Sequence, residues 1–450
     1  MRKFFLPVLF LLLFAFQLQA QKKSTPAPVG EVSATTVERV IRTLAADDMQ
    51  GRAASQPSGL RAAQFLSTEF QRIGLQMLPG ITSYEQVFPA YETRVESLLV
   101  TLNNAPVAKD KVLLVSSQPS LNWTDTDEPA TRVLVVGPQE NPQQYMRDML
   151  RPRENTMVLL DPAHVANFKR IADYVSHSSV RAEKTGSPFS SVVVLTPALP
   201  AGKVTFKVAA STTVRTVELR NVVGVLPGKN SARAAEQVVF SAHYDHIGFL
   251  PPVAGDSIAN GADDDATGTT AVVALAEYFK KKNDNARTLV FVAFTAEEIG
   301  GFGSQYFSKQ LDPAKIVAMF NIEMIGKLSK FGANAAFITG FERSDFGPLL
   351  QANLQGTSFH FEPDPYPEQN LFYRSDNATL ARLGVPAHSI STDQIPTDKL
   401  YHSVDDEVES LNLANMTATI SAIARSATGI IAGQQTPTRI APEAAATQKP

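Results

Sequence analysis

Histidines and acidic residues follow several predicted strands in the second half of the sequence. Apolar runs end just before His243, Asp245, Glu297, Glu298 and Glu323. In addition, a run of aspartates (Asp263, Asp264 and Asp265) precedes a predicted helix, and His402 lies in a late loop. Because functional groups of an open α/β sheet gather where the carboxyl ends of strands give way to loops, we expect these side chains to lie close together.

So many carboxylates in one place predict a bound cation. Like charges in a partly dry site repel one another and shift each other's proton affinity, and divalent ions relieve that repulsion. Two zinc ions at about 3.5 to 4 Å can share one bridging carboxylate while each takes a further carboxylate and an imidazole, and they activate a water molecule as the nucleophile. The sequence supplies the two histidines, the three acidic ligands and the free carboxylate that this scheme requires.

Adjacent glutamates at a strand end cannot present equivalent geometry to one metal ion, so one of Glu297 and Glu298 can bind metal while the other transfers protons. Asp245, two residues after His243, could hold the second ring nitrogen of that imidazole. Each group also has an ordinary explanation, such as a solvated turn or helix capping. Their joint order favours a site. The remaining histidines are assigned structural roles: His164, His177, His246, His360 and His388.

Composition excludes several classes of function. The formal net charge is −3, so we expect no nucleic-acid partner. There are 0 cysteines, which rules out disulfides, thiolate zinc ligands and a cysteine nucleophile. Neither a Gly-x-Ser-x-Gly nucleophile elbow nor a His-Glu-x-x-His helix occurs, and residues 224–229 have the wrong spacing for a phosphate-binding loop. Serine-hydrolase and nucleotide-binding interpretations therefore lack support.

The first residues resemble an export signal. Arg2 and Lys3 precede an apolar run over residues 4–16, and Leu18-Gln19-Ala20 is typical of a cleavage site. The run is shorter than the roughly 20 residues of a membrane-spanning helix. We therefore assign residues 1–20 to a signal peptide and expect an exported protein, periplasmic or extracellular, with no membrane anchor after cleavage.

Apolar periodicity predicts strands that alternate with helices over residues 217–432, which is typical of an α/β sheet. Residues 30–96 contain two predicted amphipathic helices, and we assign both stretches to one catalytic domain. Residues 97–216 carry short β-rich runs broken by Pro, Asn and Asp, which predict an inserted β-rich module. Residues 433–450 are rich in Pro, Thr, Ala and Gln, and we expect a disordered tail.

At these residues the chain resembles the zinc aminopeptidases of the aminopeptidase Y type, dizinc exopeptidases grouped with glutamate carboxypeptidases and transferrin-receptor-like proteins. Residues 44–52 and the helix after Gly59 also resemble the amino-terminal segment of that family. The resemblance implies a mixed twisted sheet of about eight strands between helices, and some members carry a protease-associated domain where residues 97–216 lie. The matching motifs, in order, are Ser241–His246, Gly261–Gly268, FTAEEIGGFGS from Phe294, Asn321–Gly326, Ser375-Asp376-Asn377 and Tyr401-His402-Ser403.

The resemblance implies two zinc ions per chain. One zinc would be held by His243 and Glu323, the other by Glu298 and His402, and both by Asp264. Glu297 would be the general base, and Asp245 would support His243. The family pattern selects Asp264 among its neighbours, implies a cis peptide bond from Asp264 to Asp265, and carries Asp in many members where this chain has Glu323.

The predicted function is hydrolysis of terminal peptide bonds, with a peptide or small aminoacyl substrate and an aminopeptidase as the first choice. No arginine motif stands near the predicted ligands, and arginine usually recognises a terminal carboxylate. Glutamate-carboxypeptidase-like or dipeptidase activity is the alternative within peptidases. A single-zinc glutaminyl cyclase and a binding protein with a decayed site are further alternatives, and the complete ligand set disfavours both. The sequence assigns no oligomeric state.

Overall fold

The computed structural model describes residues 31–127, 130–177, 180–196 and 204–441. The predicted signal peptide, residues 1–20, lies outside these residues, as does the end of the predicted tail from residue 442 onward. Within the described residues, none of the helices combines the length and the apolar character that a membrane span requires.

Strands and helices alternate over most of the chain, as the apolar pattern predicts. The strands are β1 (Glu85–Leu102), β2 (Ala105–Pro106), β3 (Val112–Val115), β4 (Ser120–Thr124), β5 (Arg132–Val136), β6 (Thr156–Leu160), β7 (Val180–Arg181), β8 (Ser191–Leu195), β9 (Phe206–Leu226), β10 (Gln237–His243), β11 (Gly248–Val253), β12 (Asp256–Ala259), β13 (Thr288–Phe294), β14 (Ile316–Ile322), β15 (Ala335–Ile338), β16 (His360–Pro363) and β17 (Ala387–Ser391). The α-helices are α1 (Ala34–Leu44), α2 (Pro57–Ile73), α3 (Met146–Leu150), α4 (Val165–His177), α5 (Gly268–Lys282), α6 (Phe302–Gln310), α7 (Phe346–Asn353), α8 (Asn377–Ala381), α9 (Leu413–Ser426) and α10 (Thr428–Ile431).

One large mixed sheet forms the centre of the fold, in the order β16-β15-β17-β14-β10-β13-β9-β1. Strands β13, β10, β14 and β17 run parallel, while β9 pairs with β13 antiparallel. Successive side chains of β10 enter opposite layers, because neighbours along a strand face opposite sides. Val238 and Phe240 pack with helices α1, α2, α5 and α9, and Val239 packs with α6 and α8. The predicted sheet between helices is confirmed.

Residues 97–216 form a smaller unit that contains helices as well as strands. Its four-stranded sheet has the order β3-β8-β6-β5, and β5, β6 and β8 are parallel. Parallel neighbours require a crossover connection, and α3 and α4 provide it. Met149 of α3 and Ile171 of α4 pack on this sheet. The unit is therefore α/β in character, which differs from the predicted β-rich module.

The predicted boundaries at residues 97 and 216 fall inside two continuous strands. β1 and β9 pair antiparallel from Glu85↔Val222 to Leu102↔Phe206. They extend beyond the central sheet, where β2, β4 and β7 pair with them. The same two strands thus belong to both units, so composition along the chain does not mark the transition.

The start of the predicted disordered tail is packed against the fold. Arg287 is buried and donates to the carbonyl oxygens of Ile430 and Gln435, at 2.6 Å each. Ile440 is 2% exposed and lies in the apolar layer around α6 and α8. Residues 433–441 are therefore ordered, contrary to the expectation, because contacts far along the chain compensate for their polar composition.

Candidate metal centre

Asp264 lies at the centre of the acidic cluster. Its Oδ1 atom is 3.3 Å from Nε2 of His243, and its Oδ2 atom is 3.2 Å from Nε2 of His402. The carboxylate is buried. Each oxygen of Asp264 therefore faces a different imidazole.

One further carboxylate lies beside each of these two imidazoles. Oε1 of Glu323 is 3.3 Å from Nε2 of His243, and Oε2 of Glu298 is 3.1 Å from Nε2 of His402. The structure thus brings together all five residues predicted to bind metal, in the two predicted groups. Two sets of atoms that share Asp264 are close enough to hold an ion: His243, Asp264 and Glu323, and separately His246, Asp264, Glu298 and His402.

These donors fit zinc. The set consists of imidazole nitrogens and carboxylate oxygens, which are common zinc ligands. Donor atoms at about 2.0 to 2.1 Å from a tetrahedral zinc lie about 3.3 Å from one another. The spacings of 3.1 to 3.3 Å between the imidazole and carboxylate atoms agree with that value.

The strand ends of the central sheet position these side chains. His243 is the last residue of β10, and Glu323 directly follows β14, the parallel neighbour of β10. Glu298 lies in the turn after β13, on the other side of β10. Parallel strands end at the same edge of a sheet, which explains why residues far apart in sequence meet.

The aspartates beside Asp264 bind backbone rather than facing the other ligands. Asp265 accepts hydrogen bonds from the amides of Gly268 and Met324, at 3.0 Å each. Asp263 accepts from the amide of Gly326 at 2.8 Å. The two side chains therefore tie the Asp264 loop to the segment after β14. The peptide bond between Asp264 and Asp265 is cis, as the resemblance implies.

Arg52 connects the amino-terminal segment to the site. Its guanidinium is fully buried and donates to the carbonyl oxygens of Tyr244 at 2.7 Å and Gly261 at 2.8 Å. It also donates to the carbonyls of Leu44 and Asn260. The Arg52 side chain thus joins the residue that follows His243 to the turn that precedes Asp264.

Asp245 has a different role from the predicted one. Nδ1 of His243 lies 3.0 Å from the backbone carbonyl of Asp245, whereas the Asp245 carboxylate is 3.9 Å from that nitrogen. The carboxylate instead accepts from the backbone amides of Glu297 at 3.1 Å and Glu298 at 3.4 Å. Asp245 therefore orients His243 through its main chain and fixes the glutamate turn through its side chain.

His246, assigned a structural role from the sequence, belongs to the site. Its ring is buried, and Nδ1 lies 2.8 Å from Oε1 of Glu298 and 3.7 Å from Oδ2 of Asp264. The sequence signal was its position three residues after His243, just beyond the end of β10. The other histidines assigned structural roles do not join either group in the described part of the chain.

Glu297 lines the same cleft as the metal-binding candidates. Burial raises the pKa of its carboxyl well above the usual range, and the neighbouring Asp376, Glu298 and Glu323 add to that shift. Ala296, just before it, has a φ of 59°, so the turn adopts the left-handed conformation that non-glycine residues rarely adopt. The turn that carries Glu297 and Glu298 therefore begins with a left-handed residue.

Two polar residues in the cleft wall were not predicted. Tyr401 stacks on His402, with ring centroids 4.0 Å apart, and burial together with nearby carboxylates raises the pKa of its phenol. Arg374 lines the cleft beside Ser375, whose hydroxyl donates to Glu323 at 2.6 Å. The sequence shows no arginine motif near the predicted ligands, whereas the fold places Arg374 in the wall of the same cleft.

The family model described as peptidase family M28 matches residues 221–427. Leucine aminopeptidase 1 of Leptosphaeria maculans is 28% identical over 207 residues, which cover 44% of this chain and 52% of that protein. Leucine aminopeptidase 1 of Emericella nidulans is 28% identical over 208 residues, covering 44% and 51%. The chain thus spans about half the length of the curated relatives that it matches.

Solved structures share the fold over nearly the whole chain. An aminopeptidase from Aneurinibacillus sp. strain AM-1 aligns with a TM-score of 0.55 at 18% identity, covering 89% of this chain and 94% of its own. A zinc aminopeptidase from Bacillus subtilis, BSAP, aligns with a TM-score of 0.54 at 16% identity, covering 90% and 97%. At these identities the likeness concerns the fold.

Proposed function

We propose that this chain, whose residues 221–427 belong to peptidase family M28, is a zinc-dependent aminopeptidase that binds two zinc ions. The observation that carries the proposal is the position of the Asp264 carboxylate, whose Oδ1 atom lies beside His243 and whose Oδ2 atom lies beside His402. A carboxylate placed in this way can bridge two ions. His243 and Glu323 would hold one zinc, and Glu298 and His402 the other.

Zinc, when bound, supplies a Lewis acid that polarises a carbonyl group and acidifies water. Glu297 is the carboxylate that remains for proton transfer. Its place in the cleft beside the proposed zinc ligands suits a group that takes a proton from water and passes it to the leaving amine. Tyr401 keeps its phenolic proton and lines the same cleft, so it can donate to an oxygen that becomes negative.

The charge of the cleft favours an amino-terminal substrate end. The proposed zinc ions would neutralise Asp264, Glu298 and Glu323, whereas Glu297 and Asp393 line the same cleft as carboxyl groups outside the proposed zinc ligands. A free ammonium group can lie against such a spare carboxylate beside the metals. The relatives from Leptosphaeria and Emericella are named as aminopeptidases, which agrees with this direction.

Arg374 supports a second candidate, an enzyme that recognises a terminal carboxylate. An arginine forms paired hydrogen bonds with a carboxylate, and Arg374 lies in the cleft wall beside Ser375. A carboxypeptidase or dipeptidase would use it in that way. The two directions differ in which end of a peptide must be free.

The test combines metal counting with peptides blocked at either end. We expect two zinc ions per chain, cleavage of peptides with an amidated carboxyl end, and no cleavage after acetylation of the amino end. Cleavage of the acetylated peptides would favour the carboxypeptidase. One zinc with cyclisation of amino-terminal glutamine would identify a cyclase, and protein purified without zinc or turnover would favour a binding protein.

Export belongs to the same proposal. Its support is the amino-terminal pattern of Arg2, Lys3 and the apolar run 4–16. Sequencing the amino end of the mature protein tests it, since cleavage is expected after Ala20.

A further inference from the structure

The cleft extends beyond the candidate metal ligands. It occupies about 670 Å³ measured out to its open mouth. Part of its wall comes from the ends of strands β15 and β17 and the segment after β17. The wall residues of this part are Phe337, Thr339, Ser389, Ser391, Asp393 and Ile395.

Most polar side chains in this wall are engaged with other protein groups. The Ser389 hydroxyl donates to Asn377 at 3.0 Å, and the Ser391 hydroxyl donates to the Met324 carbonyl at 3.1 Å. Asp393 differs from them. It is 4% exposed, and neither of its carboxyl oxygens receives a hydrogen bond from a residue that the structure describes.

The groups nearest to Asp393 include two further acidic side chains. Carboxylate oxygens of Asp263, Asp393 and Asp398 lie within 4.8 Å of one another. Lys327 is already paired with two of these groups, since its Nζ atom is 2.5 Å from Asp398 and 3.2 Å from Asp263. A proton held by Asp393 is shared with Asp398 in a hydrogen bond between the two carboxyl groups. Burial and the two acidic neighbours raise the pKa of Asp393 to about 8.

We propose that Asp393 is a specificity-determining residue, which selects substrates whose amino-terminal residue carries a cationic side chain, lysine or arginine. This inference rests on the proposed function and names its substrate class. A lysine side chain combines an apolar stem with a charged tip. The stem would lie along Phe337, Leu371 and Ile395, which line the same cleft, and the ammonium group would reach Asp393.

Burial is the reason that Asp393 can discriminate. A charge pair excluded from water is stronger than an exposed one, so an ammonium group gains more from this buried acidic cluster than a neutral side chain does.

Norleucine is the matched probe, because it has the unbranched stem of lysine without the ammonium group. We expect the wild-type protein to hydrolyse lysyl aminomethylcoumarin with a kcat/KM at least about tenfold higher than the norleucyl substrate, which corresponds to one charge-assisted hydrogen bond. Asp393→Asn should bring the ratio close to one by slowing the lysyl substrate. Asp405→Asn, an exposed aspartate of the following loop, should leave the ratio unchanged.

A binding measurement separates recognition from turnover. Lysinamide and norleucinamide are titrated into the Glu297→Gln variant, with and without Asp393→Asn. We expect lysinamide to bind more tightly, and Asp393→Asn to remove that difference. Melting temperature and zinc content show whether the Asp393 variant is folded. If it is not, the wild-type preference decides the matter.

The outcomes separate this inference from the proposed function. Hydrolysis of both substrates with a preference for norleucine overturns the role of Asp393. The same conclusion follows if Asp393→Asn is folded and the preference for lysine persists. If neither aminoacyl substrate is hydrolysed and both acetylated and amidated peptides stay intact, the proposed function fails, and the inference fails with it.

Discussion

The Nδ1 atom of His246 lies 2.8 Å from Oε1 of Glu298, while Nε2 of His402 lies 3.1 Å from Oε2 of the same carboxylate. Glu298 is thus held between two imidazoles. In our assignment His402 is a zinc ligand together with Glu298. His246, which is fully buried beside them, then fixes the orientation of the Glu298 carboxylate.

Replacing His246 should weaken one zinc site selectively. Partners that orient metal ligands typically account for 10- to 100-fold in metal affinity, so we expect a loss of about that size for the zinc held by Glu298 and His402 in His246→Ala. Zinc content measured against a graded chelator would show one ion released early. His360→Ala, a half-exposed histidine on β16, is the control. Equal retention of both ions would contradict the positioning role.

Replacing Glu297 should remove turnover without removing metal. Glu297→Gln keeps the shape of the side chain but cannot accept a proton, so we expect kcat to fall by about 10²- to 10⁴-fold. Zinc content and melting temperature should match the wild-type protein. Glu342→Gln, which alters an exposed glutamate, is the control. Turnover near the wild-type rate would exclude Glu297 as the general base.

Replacing Asp264 should affect both zinc ions, because each of its oxygens faces a different imidazole. We expect Asp264→Ala to retain neither ion under conditions in which the wild-type protein holds two. The comparison is Asp263→Asn, whose carboxylate binds the Gly326 amide and pairs with Lys327. That variant should keep its zinc and lose about 1 to 3 kcal/mol of stability. Two ions retained by Asp264→Ala would show that another residue forms the bridge.

Glu277 should make stability depend on acid pH. It lies on α5 and accepts hydrogen bonds from Lys281 and Arg72, at 2.7 Å each, and from Thr36 of α1. Burial raises the pKa of Glu277, but these partners outweigh it and lower the pKa to about 2. The folded pKa is below the usual 4.5, so the stabilisation is complete above pH 4.5 and is lost as the pH falls towards 2.

The matching variant is Glu277→Gln. Because Arg72 and Lys281 are partly exposed, we expect a cost of only about 1 kcal/mol at neutral pH. Urea unfolding at pH 7 and again near pH 2 to 3 measures it, and the difference from the wild-type protein should shrink at the lower pH. Glu38→Gln on α1, an exposed site, serves as the reference. A difference that grows on acidification would contradict this linkage.

The sequence predicted the candidate ligands because each stands at the end of a strand or next to one of a few loops. His243 and Glu323 follow neighbouring parallel strands, so the order of motifs carries spatial information. Arg52, Arg374 and the role of His246 depend instead on contacts across the fold. No local pattern distinguishes a buried arginine that binds carbonyl groups from an exposed one in a turn.

The prediction of secondary structure was also limited by contacts between distant parts of the chain. Helices α3 and α4 lie in a stretch that is interrupted by proline and polar residues. The sequence analysis therefore identified the strands of this stretch and missed its helices. Residues 433–441 have a composition typical of disorder, yet Arg287 binds Gln435 and Ile440 is buried. In both cases packing against a distant part of the chain determined the outcome.

The hydrogen bonds of Arg52 matter for any fragment of this protein that is meant to retain the candidate metal centre. The segment that matches the family model begins at residue 221, far downstream of Arg52. An excised fragment with that starting point would include every proposed zinc ligand, but not the guanidinium that binds the carbonyls of Tyr244 and Gly261. The candidate metal centre thus depends on two separate parts of the polypeptide, and the turn that carries Arg52 supports it together with the strands that carry the proposed ligands.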